Sequence, residues 1–338
     1  MEKFLFRPAI YERLYNCSYM NTSGWTSFAM PRPILGSICI GIGCINLLAY
    51  GLCLPIVWKP MFFRNSCFKI MFFLGVLDSI CIVGSSIVTG CLHLSGTVFC
   101  LAPNLQYICG CALVGCWFGE CFGCALLAFN RCIDFILPDT SARLFEKKRT
   151  YVWIVFMYSY AFCAAFFVQP VVLNSAAIMW TYDAFLIFPQ DLVPVNHEDY
   201  IAKANDYNNY LLTGAVTLFY AVLVVAIGLK GRGTNQSKLQ AHVLTIATLI
   251  CGLEFIPGFI FILLETIPVT NFMLYLCLFT WQMGTGGGGI IMLIFNKSIR
   301  NEVVKMLHGS YVGSTVSGIT TAIQVRQTRI NPKPNVNQ

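Results

Sequence analysis

The chain has 338 residues and a net charge of +7. Its residues are 57% hydrophobic and 11% charged, with a mean hydropathy of +0.68, whereas soluble domains carry about 25% charged and about 45–50% apolar residues. That balance excludes an ordinary soluble enzyme, a disordered chain and a nucleic-acid-binding protein, and it reads as an integral membrane protein.

The first segment, residues 1–33, is expected to lie outside the membrane. Met1–Arg7 lacks the apolar run of a cleavable signal peptide, so the first span is expected to serve as the insertion signal. Asn16-Cys17-Ser18 and Asn21-Thr22-Ser23 are glycosylation acceptor triplets in this segment. Asn235-Gln236-Ser237 and Asn296-Lys297-Ser298 are two more on the expected inner side, predicted to stay unmodified.

A helix needs roughly 20 apolar residues to cross a hydrocarbon core about 30 Å thick. Seven runs qualify within residues 34–295: Ile34–Val57, Ile70–Leu92, Leu105–Phe129, Tyr151–Leu173, Tyr210–Leu229, Val243–Leu264 and Phe272–Phe295. Strand-length alternation is absent, so the fold class is all-α, a seven-transmembrane helix bundle. Residues 296–308 place Ile299, Val303 and Leu307 on one face, which predicts an amphipathic helix on the membrane surface. Residues 309–338 are rich in Ser, Thr, Asn and Pro and read as a disordered tail.

Lysine and arginine set the orientation. The loops Trp58–Lys69, Asn130–Thr150 and Lys230–His242 hold eleven, against one (Lys203) in the three alternate loops. The N-terminus is therefore expected outside and the C-terminus in the cytoplasm, although Lys3, Arg7, Arg13 and Arg32 dissent.

Four polar residues fall near the bilayer midplane: Asn46 in span one, Asp78 in span two, Glu120 in span three and Glu254 in span six. At about 1.5 Å per residue, Glu120 lies roughly 16 Å from the inner end and Asp78 roughly 12 Å. An acid at that depth costs several kcal/mol unless neutral, paired or hydrated. The sharp reading is a polar cluster that binds a cation or proton; the plain one is four separate protonated or hydrogen-bonded groups. Pro257 is expected to kink span six. The run Gly286–Gly289 in span seven reads as a hinge, a close helix approach, or glycine tolerated in lipid.

Catalytic chemistry finds little support. The four histidines are scattered, and the cysteines of span three (Cys109, Cys111, Cys121, Cys124) sit in an apolar helix without basic neighbours, as packing residues do. Span seven has no lysine to carry retinal. No enzyme, cofactor or metal site is expected.

Seven spans with an outer N-terminus match the G-protein-coupled receptor architecture. Asn130-Arg131-Cys132 resembles that superfamily's Asp-Arg-Tyr position. From about Tyr15 to about Leu307 the chain resembles the nematode class T serpentine chemoreceptors. The pieces are Tyr15-Asn16-Cys17-Ser18, Ser66-Cys67-Phe68-Lys69-Ile70-Met71, Asn130-Arg131-Cys132, Trp281-Gln282-Met283-Gly284 and Asn296-Lys297-Ser298-Ile299-Arg300. The resemblance implies an olfactory or gustatory receptor in the plasma membrane, with sensory cilia as its expected site. It would bind a small environmental chemical and activate a heterotrimeric G protein through Asn130 and Arg131. Membrane lipids are the other expected partners. Two departures stand out: Asn130 replaces the usual acid, and Gly288 and Met292 occupy the positions of a usual Pro and Tyr. Tyr107, Phe259, Trp281 and Gln282 are the expected pocket residues. Receptors of this architecture join the top of span three to the next outer loop, but Asn174–Asn209 has no cysteine. The resemblance thus implies a Cys17–Cys100 bridge, with Cys91 as the rival partner. The alternative function is a seven-helix transporter or proton-coupled carrier using the midplane acids.

Overall fold

The computed structural model describes residues 1–230, 238–264, 267 and 270–308. Seven helices are long and apolar enough to cross a membrane: Pro33–Val57, Ser66–Ser95, Pro103–Ile136, Arg149–Phe167, Lys203–Ile227, Val243–Leu264 and Asn271–Phe295, spans one to seven below. The chain is a multi-pass membrane protein. Asn235 and residues 309–338, expected as an unmodified acceptor and a disordered tail, lie outside the described residues.

Local chemistry sets the helix ends. Pro33 and Pro103 stand in the first turns of spans one and three, where a missing N–H costs nothing. Asn65 caps span two by accepting from the Cys67 N–H at 2.9 Å. Span two ends on Gly96 at φ +68, a conformation glycine adopts freely; a Cβ there would lie 2.4 Å from Pro31 N. Within span two, Val83–Val88 forms a π-helical turn, and Thr89 Oγ1 donates to Gly84 O at 2.9 Å.

Several helices outrun their apolar stretches, those of spans three and five furthest at one end, whereas span four stops at Phe167, short of the expected Leu173. The span-three helix continues past Phe129 to Ile136, and the span-five helix starts at Lys203 rather than Tyr210. Span three is the axis of the bundle: 78% of its apolar window is buried, against 17% in span five.

One end of the bundle carries a lid. Helices Glu2–Phe6, Pro8–Leu14 and Thr22–Ser27 fold over it with the loop that follows span four. That loop contains a two-residue hairpin, Val172–Leu173 paired antiparallel with Trp180–Thr181. The lid core packs Tyr15, Trp25, Phe99, Tyr107, Phe185 and Tyr200. Cys17 and Cys100 are disulfide-bonded, and Cys91 is free. Asn21 is exposed and caps Thr22–Ser27, whereas Asn16 is half-buried.

At the other end, residues 297–308 form a helix that buries Ile299 and Val303, while Leu307 is exposed. Lys59 Nζ meets Glu302 Oε2 at 2.7 Å and ties this helix to the loop after span one. Asn296 is buried, and its side chain accepts from the Ile299 N–H.

Candidate functional site

Three polar layers run down span three. Just below the lid lies a cavity of about 290 Å³. Trp117 of span three, Trp180 and Tyr182 of the hairpin loop, Asn209 of span five, Phe261 of span six and Trp281 of span seven line it. The Trp117 indole N–H donates to Asn209 Oδ1 at 3.0 Å, which turns the Asn209 amide nitrogen away as a donor. That nitrogen and the Trp281 indole N–H are both buried and without a partner among the described residues. Two unsatisfied donors in an aromatic chamber suit a ligand with an acceptor oxygen or nitrogen.

Of the four expected pocket residues, Trp281 alone lines this cavity. Tyr107 is fully buried in the lid, its ring 5.0 Å from that of Tyr15. Phe259 is 43% exposed on the bundle perimeter and stacks on Phe255. Gln282 points away from the cavity and donates to Ser85 O at 2.7 Å. When every face of a helix is apolar, sequence does not reveal its rotation, and these three placements turn on rotation.

At the midplane, the structure brings the acids together. Asp78, Glu120 and Glu254, from three different spans, offer carboxylate oxygens within 4.8 Å of one another, and all three are buried. The Tyr50 hydroxyl donates to Asp78 Oδ2, and Thr285 Oγ1 donates to Glu120 Oε2 at 3.4 Å. Asp78 Oδ1, Glu120 Oε1 and Glu254 Oε2 have no hydrogen-bond partner among the described residues. Asn46 lies beside the cluster, with its amide nitrogen 3.5 Å from Gln282 O. The glycine run is a close helix approach: a Cβ on Gly286 would fall 1.9 Å from Asn46 Nδ2, and one on Gly288 2.4 Å from the Tyr50 hydroxyl. Tyr50 and Thr285 were absent from the sequence expectations, although Tyr50 stands one turn from Asn46 on the same helix face.

At the third layer, Arg131 is only 5% exposed. Its guanidinium donates to Asn130 Oδ1 at 2.6 and 3.2 Å and pairs with Asp134 Oδ2 at 3.3 Å. The Asn130 amide nitrogen in turn donates to Ser66 Oγ of span two. The missing acid before Arg131 therefore does not leave the arginine unpaired: Asp134, one turn later, supplies the carboxylate.

A family model described as "Serpentine type 7TM GPCR chemoreceptor Srt" matches residues 3–314. The chain is also similar to "Serpentine receptor class T-55" of Caenorhabditis elegans, with 24% identity over 302 residues, 87% of this chain and 80% of the relative.

Proposed function

Because the chain belongs to the Srt family of serpentine 7TM GPCR chemoreceptors, we propose that it binds a small environmental chemical in the cavity beneath the lid and activates a heterotrimeric G protein at the Arg131 end. The lid then faces outward and the basic loops face the cytoplasm, with sensory cilia as the site of action. Members of such a family are receptors rather than enzymes.

The observation that carries this reading is a single unbroken helix through all three layers. Trp117 contacts the cavity, Glu120 enters the acid cluster one turn on, and Arg131 lies three turns beyond that. From Trp117 to Arg131 the distance along the axis is about 21 Å. A shift of span three or seven at the cavity would reach Glu120 through Thr285, because packed helices move as rigid elements. In our reading the cluster of Asp78, Glu120 and Glu254 holds a proton or cation whose hydration changes with that shift, and Asn130 and Arg131 form the G-protein switch.

The acid cluster also favours a second reading, a proton-coupled carrier. Reconstitution separates the two. A receptor accelerates nucleotide exchange on purified G protein in response to an active chemical. A carrier moves ions across G-protein-free liposomes, and flux without exchange would overturn the receptor reading. Glycosylation mapping in microsomes tests the orientation: the mobility shift is expected to vanish with Asn16→Gln/Asn21→Gln and to persist with Asn235→Gln.

A further inference from the structure

A pocket of about 620 Å³ opens at the Arg131 end, away from all three layers. The loop after span one supplies Trp58, Phe63 and Arg64, the start of span two supplies Lys69, and Lys147 and Tyr151 come from the entry to span four. Lys69 is the unusual member. It is only 6% exposed, and its ammonium donates to Lys147 O at 2.8 Å and sits 5.4 Å above the Tyr151 ring. It forms no ion pair among the described residues. A buried cation held only by a carbonyl and a ring face lacks the anion that would offset its lost hydration. Arg64 and Lys147 add two exposed cations at the mouth. The acid in the lining is Glu146, which lies 3.5 Å from Lys147 and leaves the pocket with an excess of positive charge.

Such a pocket suits phosphate, whose several oxygens accept from a guanidinium fork and two ammonium groups at once. Its surroundings favour a lipid as the source. Trp58 and Tyr151 are partly exposed at span ends, where amphipathic rings sit at headgroup depth. Beside them, span four presents Val152, Val155 and Phe156 outward, an apolar track for an acyl chain. The pocket thus opens on the bundle's perimeter, whereas Arg131 lies at its axis. We propose that it binds the phosphorylated headgroup of an anionic lipid. That the lipid belongs to the cytoplasmic leaflet rests on the orientation proposed above; the binding itself does not.

The test is titration of the purified full-length protein in neutral detergent, read by native mass spectrometry. The probes are dioctanoyl phosphatidylinositol bisphosphate, dioctanoyl phosphatidylserine, soluble inositol trisphosphate and inorganic phosphate. The bisphosphate lipid is expected to bind most tightly. Replacing two headgroup-facing cations of the protein, as in Arg64→Gln/Lys147→Gln, is expected to weaken it about thirtyfold. Glu146→Gln is expected to tighten it. All three changes fall on exposed residues, so the fold should persist, which thermal unfolding in the same detergent checks. Equal affinity across variants overturns the site. Inositol trisphosphate binding as tightly as the lipid overturns the lipid assignment in favour of a soluble phosphate. If the double variant keeps lipid affinity but loses nucleotide exchange in purely zwitterionic nanodiscs, the basic face docks an acidic protein surface instead.

Discussion

At Arg131 the guanidinium has found an amide oxygen and a carboxylate, whereas three turns earlier Glu120 keeps one buried oxygen with no partner. Both residues sit on the same helix and both are buried, yet their surroundings follow different rules. The Arg131 layer is closed by complementary groups, so its polar residues hold one another in place. At the midplane, three carboxyls face one another, and among the described residues hydroxyl groups from Tyr50 and Thr285 donate to two of them. A satisfied network fixes a conformation, while a half-satisfied one favours whatever proton, cation or rearrangement completes it. In the proposed function, that difference makes the Arg131 end of span three a lock and its centre the responsive element.

The comparison can be broken most severely by forcing the midplane apart. Gly286→Leu is expected to abolish surface expression, because its Cβ alone would collide with Asn46 Nδ2; Gly41→Leu, with nothing within 4 Å, is expected to be tolerated. Surface biotinylation of the two variants measures this. Arg131→Ala is the next largest change. It strips the buried Asn130 oxygen of its donors, at a cost of about 1–3 kcal/mol, and is expected to bring nucleotide exchange down to the receptor-free rate.

The sharpest contrast comes from equivalent neutralisations in the two layers. Glu254→Gln removes one of three facing acids and is expected to raise the unfolding temperature by about 2–4 °C, a gain of roughly 1 kcal/mol. Asp134→Asn removes the partner of a buried cation and is expected to lower it. Thermal unfolding in one detergent reads both, and equal signs would end the distinction.

The smallest effect belongs to the surface. Lys305 and Lys59 hold the Glu302 carboxyl at about 2, below its ordinary 4.5. A depressed carboxyl stabilises above its unfolded value, so this tie is intact at neutral pH and is lost as pH falls from 4.5 through about 2. Glu302→Gln is expected to leave expression unchanged and to flatten stability across that acidic window.

Hydropathy made the seven spans legible because the bilayer imposes a length on every crossing helix. It misplaced the ends of spans three, four and five because it measures apolar length: Asn130–Ile136 and Lys203–Asn209 continue the helix with charged and polar residues, while the apolar Val172–Leu173, expected in span four, forms a strand beyond the helix end at Phe167. The depth of Asp78, Glu120 and Glu254 was readable by counting residues. Their convergence was not, since it depends on helix rotation, and the same ambiguity put Phe259 in the pocket when it faces outward. Asn209 escaped notice because it lay in an expected loop. Asp134 stands at the i+3 position from Arg131, a pairing spacing legible in the sequence, whereas the superfamily pattern points to the residue before the arginine.

In the proposed mechanism Asp134 holds Arg131 until a signal arrives from the cavity. Basal nucleotide exchange on purified heterotrimeric G protein tests this most directly, comparing wild type with Asp134→Asn in the same nanodiscs. Release of Arg131 predicts faster basal exchange for Asp134→Asn, abolished again when Arg131→Ala is added. Exchange at the receptor-free rate for wild type and Asp134→Asn alike, with both proteins folded, would contradict it.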